Sequence, residues 1–202
     1  VSDIPEAADM ITCLGGGRLP AGRRVVVMGG SGGAAAMFSD HADQVGLMLP
    51  PLAAETTDEL RGVLPALSSL KNPVDYTAGY PRAHKGLDFR RGFAAALADP
   101  GVDQMAVMFA AAGNQQLLHG AEVLADVVAA SPKPVIAFSG MTDAIAAEGL
   151  AQLRSAGVPV LTSPKRVAAA MARLADYAAA RTRPAADAAP HTALQGRESL
   201  RI

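Results

Sequence analysis

Apolar positions along the chain fall into short aliphatic runs separated by longer stretches of helical period. Residues 3–15 predict a short helix that runs into Gly15-Gly16-Gly17, and Leu19-Pro20-Ala21-Gly22 predicts a turn. Arg23 to Met28 holds Val25-Val26-Val27, the pattern of a strand buried on both faces. Gly29-Gly30-Ser31-Gly32-Gly33 follows at once, and Ala34 to Val45 predicts a helix closed by Gly46. Leu47-Met48-Leu49 predicts a short second strand, stopped by Pro50-Pro51. Thr56 is placed to cap a helix ending near Leu67, with Glu59 at the capping-box position. Ser68 to Tyr80 predicts a loop, and residues 83–98 an amphipathic helix closed by Asp99-Pro100-Gly101. Three strands then alternate with helices: Met105 to Phe109, Val135 to Phe138 and Val158 to Leu161. The helices between and after them run over Leu117 to Ala129, over Thr142 to Ala156, and from Ser163-Pro164 to about Arg181.

This alternation predicts an α/β fold, a doubly wound parallel sheet with helices on both faces. Five strands with a glycine turn after the first predict the flavodoxin-like order 2-1-3-4-5. Residues 1–22 then lead into a single domain over 23–182, and 183–202 lose periodicity and read as a linker or tail. Ligands of such folds bind at the carboxyl ends of the strands, which places the loops at 29–33, 50–56, 110–116, 139–142 and 162–164 along one edge.

Composition narrows the function classes. Of 202 residues, 50% are hydrophobic, which is enough for a full core. Lys and Arg number 18 against 19 Asp and Glu, so there is no electrostatic case for nucleic acid or an anionic membrane. No apolar run approaches the roughly 18–20 residues of a membrane span, and no charged-then-apolar leader opens the chain. A cytoplasmic protein is expected. Cys13, the single cysteine, cannot form an internal disulfide, and no Cys/His cluster has metal-ligand spacing, so no metal site is expected.

The glycine loop carries the chemistry. Glycines let backbone approach a ligand, and free N–H groups at a helix start attract anions. The natural guest of Gly29, Gly30, Ser31, Gly32 and Gly33 is a phosphate or similar anion; the plain alternative is a tight turn. Gly30 to Ala35 also fits the loose G-x-G-x-x-A dinucleotide pattern, but Pro50-Pro51 stands where its acidic partner belongs. No G-K-[S/T] tripeptide exists, which excludes a P-loop. Gly29 to Gly33 also satisfies G-x-S-x-G, which would make Ser31 a hydrolase nucleophile with partners such as Asp143 and His191. A third reading is a stand-alone module binding FMN or phosphate. His41, His84 and His119 lack spaced partners and read as surface or capping residues. Cys13 reads as a small hydrophobe. Asn114, Ser139 and Thr142 lie at strand ends, where they either touch a ligand or cap the next helix.

Extending the loop outward reveals a longer pattern. Leu19-Pro20-Ala21-Gly22-Arg23-Arg24 leads into Ser31-Gly32-Gly33, followed by Lys71-Asn72-Pro73-Val74-Asp75, Asp99-Pro100-Gly101-Val102-Asp103, Lys133-Pro134-Val135 and Gly157-Val158-Pro159-Val160. Over about residues 3–180 this order and spacing resembles the NDP-forming acyl-CoA synthetases, relatives of succinyl-CoA synthetase. Within that family it is similar to the second flavodoxin-like ligase-CoA domain. The pattern departs at Met28-Gly29-Gly30, where many relatives carry Thr-Asn before the serine or alanine.

The resemblance implies a part of an enzyme that joins a carboxylic acid to coenzyme A. The whole enzyme uses ATP with Mg and releases ADP and phosphate, by way of an acyl phosphate and a phosphohistidine. It implies that the phosphohistidine sits between two helix starts, one of them at Gly32-Gly33. Gly29, Gly30, Ser31, Gly32 and Gly33 are then phosphate-binding residues, and Asn72, Asp75 and Asn114 are expected near the same crevice. The phosphorylated histidine belongs to another domain, so no catalytic residue is expected in this chain and this piece alone is expected to be inactive. It should hold no cofactor tightly beyond phosphate or a similar anion. Its implied partners are CoA-binding, phosphohistidine and ATP-grasp domains, fused or as separate subunits, in an oligomer.

Overall fold

The computed structural model describes residues 1, 3–77, 86–110 and 112–182; Tyr80, His84, His191 and the expected linker at 183–202 lie outside the described residues. Helix α1 (Ile4–Gly15) opens the fold, followed by β1 (Val25–Gly29), α2 (Gly32–Gln44), α3 (Ala54–Val63) and β2 (Val74–Asp75). Then come α4 (Gly86–Ala98), β3 (Gln104–Phe109), α5 (Asn114–Ala129), β4 (Val135–Ser139), α6 (Asp143–Ser155), β5 (Val160–Leu161) and α7 (Pro164–Thr182). The five strands form one parallel sheet in the order β2-β1-β3-β4-β5, the expected flavodoxin-like arrangement.

Both faces of the sheet are buried. Val26 and Met28 point to a core shared with α3, α4, α5 and α6, while Val25 and Val27 point to one shared with α1, α2 and α7. That two-sided burial is why β1 is apolar at every position rather than alternating. Helix α1 packs through Met10 and Cys13, and its charges Asp9 and Glu6 pair inward with Arg166 and Arg173 of α7.

Several boundaries differ from the sequence expectation. Leu47-Met48-Leu49 does not form the second strand; Met48 makes a single parallel bridge to Arg24, and Pro50-Pro51 end the pairing. The edge strand β2 comes instead from Val74-Asp75, inside the stretch expected to be loop. Helix α2 begins two residues earlier than expected, with Ser31 as its N-cap. Helix α3 begins at Ala54, so Thr56 is buried in the first turn rather than capping it; the Ala53 N–H donates to Asp99 Oδ2 at 2.8 Å. Glu59 is paired with Arg91. Helix α3 also stops at Val63, just before Pro65, instead of reaching Leu67.

At the amino ends of the strands, Arg24 grips the buried Asp103 through Nη2 at 2.6 Å and Nε at 3.0 Å, and the Arg24 N–H adds a third bond. These bonds hold the Asp103 carboxyl below its usual range against the opposing effect of burial. A depressed folded value means stability that is present above the unfolded carboxylate range of about 4 and lost as pH falls through the lower folded value. We therefore expect the unfolding midpoint of the wild type to drop more steeply than that of Asp103→Asn in acid. Equal acid slopes in denaturant titrations would refute that role for Asp103.

Candidate functional site

The glycine loop sits where β1 ends and α2 begins, at the carboxyl edge of the sheet and beside its switch point between β1 and β3. Its first glycine is set by strand packing: a Cβ at Gly29 would lie 2.7 Å from Met108 Cβ and 3.1 Å from the Met108 carbonyl oxygen of β3. Ser31 is extended, with φ −142° and ψ 102°, and its Oγ accepts the Ala34 N–H at 3.3 Å. Its carbonyl accepts the Ala35 N–H at 3.1 Å. The N–H groups of Gly32 and Gly33 remain without a partner among the described residues, and both glycines are exposed. A Cβ at Gly33 would meet nothing within 4 Å, so the crevice above it is open.

Asp75 ends β2 next to this loop. Its Oδ1 accepts the Thr77 N–H at 2.9 Å, where Thr77 turns the chain with φ 62°. Its Oδ2 lies 3.0 Å from the point that a Cβ on Gly32 would occupy. The structure thus brings Asp75 to the glycine loop.

Asn72 and Asn114 have other surroundings. The Asn72 Nδ2 donates to the carbonyls of Val25 at 2.8 Å and Pro50 at 3.0 Å, and its Oδ1 accepts the Val27 N–H at 3.0 Å. Met48 satisfies β1 just before these groups and Val74 pairs with it just after. The Asn72 carboxamide therefore stands in for a strand residue, filling the gap between the two halves of the sheet edge. The Asn72–Pro73 peptide is cis. Asn114 opens α5 and reaches α6: its Oδ1 accepts the Gly149 N–H at 2.9 Å, and its Nδ2 approaches Glu148 at 3.4 Å.

The geometry of Ser31 differs from a nucleophile elbow. Its φ is unstrained, its hydroxyl oxygen caps α2, and the other suggested member, Asp143, is paired with Arg154. His41 contacts Gln44, and His119 stacks on Phe89 with ring centroids 6.3 Å apart. Burial pushes the Cys13 thiol up to about 12, which suits a core residue. Thr142 occupies the N-cap position of α6 without a side-chain cap bond. The Ser139 Oγ accepts the Met141 N–H at 3.1 Å. Among the described residues no cluster of His, Cys, Asp or Glu could hold a metal, and no helix is long and apolar enough to cross a membrane. The family resemblance already puts Asp75 near the crevice; its place opposite Gly32 follows from the pairing of β1 with β2, which spacing alone does not show.

Residues 25–131 match the model of the Ligase-CoA domain family. The α subunit of an ADP-forming acetate–CoA ligase (form II) of Pyrococcus furiosus is 33% identical over 79% of this chain and 35% of its own length. The form I α subunit of the same organism is 29% identical over 85% of this chain and 36% of its own. The chain thus spans about a third of the length of these curated relatives. A crystal structure from Pyrococcus horikoshii OT3 aligns with a TM-score of 0.77 and 30% identity, covering 89% of this chain and 41% of that one. A dinucleotide-forming acetyl-coenzyme A synthetase of Ca. Korarchaeum cryptofilum, solved in complex with phosphate and ADP, aligns with a TM-score of 0.75 and 25% identity. That alignment covers 90% of this chain and 38% of the other.

Proposed function

The chain belongs to the Ligase-CoA domain family, and from that premise we propose that it is one part of an ADP-forming acyl-CoA synthetase. The whole enzyme would join a carboxylic acid to coenzyme A at the expense of ATP, with Mg, releasing ADP and phosphate in the cytoplasm. CoA-binding, phosphohistidine and ATP-grasp domains would come from the rest of the polypeptide or from partner subunits of an oligomer. The names of the relatives, acetate–CoA ligases, make acetate the first acid to try.

The role of this domain is to receive the phosphoryl group of the phosphohistidine at the start of α2. The observation that carries this reading is the pair of N–H groups on Gly32 and Gly33, without a partner among the described residues at the exposed start of α2. Gly29 lets the loop pack closely on β3, Gly30 continues the turn, and Ser31 caps α2 so that its first N–H groups point outward. Donors fixed in this way meet phosphate charge without reorganising. The helix dipole adds a smaller contribution of the same sign.

Gly33→Glu in the whole ligase tests the reading. A carboxylate in the first turn stabilises a helix by roughly 0.3–1 kcal/mol, so the domain should melt no earlier than wild type. The same charge repels phosphate, and acid-dependent ADP release should fall by about 10²–10³-fold, the scale of losing one oxyanion donor. Gly33→Ala keeps the N–H, meets no neighbour and should retain most activity. Full turnover by Gly33→Glu would refute the phosphate role.

A further inference from the structure

Helix α1 carries its charges on the inside. Glu6 and Asp9, the charged residues of its span, face the fold and pair with Arg173 and Arg166 of α7. The opposite side is aliphatic and meets solvent. Ile4 is 85% exposed and Ile11 72%, and Ala8 and Gly15 are exposed in line with them. The steps from 4 to 8, 11 and 15 are four, three and four residues, the spacing of a coiled-coil seam with isoleucine at d and a small residue at a. A single exposed aliphatic residue is ordinary, but two isoleucines aligned on one uncharged seam mark a face that is covered.

The seam is complementary to itself. When two copies of α1 lie antiparallel about a two-fold axis at mid-helix, Ile4 of one copy faces Gly15 of the other, and Ala8 faces Ile11. Each isoleucine then stands over a small residue. Gly15 has no reason within its own fold to lack a side chain: its φ is not left-handed, and a Cβ there would meet nothing within 4 Å. Ile4 of a second copy would fill that space. The ends also match in charge. Arg18, just past α1, donates to the carbonyls of Gly16, Val128 and Ser131 and pairs with no carboxylate among the described residues. Asp3, just before α1, caps it through the Glu6 N–H and has no ion-pair partner among the described residues. Antiparallel pairing brings Arg18 of each copy toward Asp3 of the other. We propose that α1 is an isologous interface through which two copies of this chain associate as an antiparallel helix pair. Its two heptads are short of the roughly 800 Å² per copy of a standard interface, so the pairing is reversible and concentration-dependent. It is independent of the reaction the protein takes part in.

The test is disulfide trapping in the whole polypeptide that carries this chain. In the double variant Ala8→Cys, Ile11→Cys each new thiol faces one on the other copy, while the native Cys13 is buried in the core and stays out of reach. Both substituted positions are exposed, so the fold should be kept. Mild oxidation should join most chains in pairs that a reductant separates. Adding Gly15→Leu should slow the joining by about 10-fold or more, the scale of an overpacked contact, because the leucine takes the place of the other copy's Ile4. The melting temperature should not fall, since nothing lies within 4 Å of the new Cβ and leucine is the better helix former. Joining that is equally fast with Gly15→Leu overturns the proposal, and so does the absence of a joined product. In the latter case a maleimide tells what holds instead. Thiols that label freely mean that the face stays open, and thiols that stay protected mean that another part of the polypeptide or a different subunit covers α1.

Discussion

Asn72→Leu should lower the unfolding free energy by about 3–5 kcal/mol, a large part of the 5–15 kcal/mol typical of a domain. Leucine has similar bulk but no polar atoms, so the carboxamide's three bonds go at once. The Val25 carbonyl and the Val27 N–H lie in a strand buried at every position, and each unpaired buried group costs about 1–3 kcal/mol. Water can reach the Pro50 carbonyl more easily, because Pro50 is only partly buried, so that bond contributes less. Asn72→Asp is a second check. It can still accept the Val27 N–H, but it offers an acceptor to two carbonyls that need a donor. Urea unfolding followed by circular dichroism measures both variants. A loss below about 1 kcal/mol for Asn72→Leu would show that the sheet edge closes without the side chain.

Gly149→Val should cost about 3 kcal/mol or more, although helix propensity alone predicts a small gain over glycine. The reason is the closeness of α5 and α6. A Cβ at Gly149 would sit 2.5 Å from Leu117 Cβ and 2.9 Å from the Asn114 carbonyl oxygen, and the second of these is backbone. The helices would have to separate, which also breaks the bond from the Gly149 N–H to Asn114 Oδ1. Gly149→Ala carries the same Cβ without the branch and should be destabilising by a smaller amount. Stabilisation by Gly149→Ala, in the same urea titrations, would show that α6 can shift away from α5 without loss.

Asn72 and Gly149 both act through contacts between segments far apart in the chain. Asn72 belongs to a legible pattern, Lys71-Asn72-Pro73-Val74-Asp75, and a turn with polar side chains near the crevice was a fair expectation. What the side chain does depends on a gap between Met48 and Val74 that only the folded sheet edge creates. Asn114 was expected to touch a ligand or cap a helix; it opens α5 and bonds across to α6, a contact set by helix packing. The second strand forms away from its local pattern for a related reason. Leu47-Met48-Leu49 has the stronger local strand character, but its pairing is cut off by the prolines, and the register is completed by two residues from another segment. Thr56 shows the same limit at a helix start, where a buried threonine in the first turn looked like a cap.

By itself the sequence determined the alternation of strands and helices, the two-sided burial of β1, the parallel sheet with its central order, and the glycine loop at its carboxyl edge. These follow from local periodicity and turn chemistry, which act over a few residues and need no knowledge of the rest of the chain. The order and spacing of its motifs also resemble the ligase family, which the match over residues 25–131 establishes. Tertiary structure alone decided which residues complete the sheet edge, how closely α6 lies on α5, and that the Oδ2 of Asp75 lies against Gly32, beside two N–H groups without a partner among the described residues. Those are contacts between segments far apart in the chain. Their distances are set by how whole elements pack, and no local pattern of residue types encodes a distance of that kind.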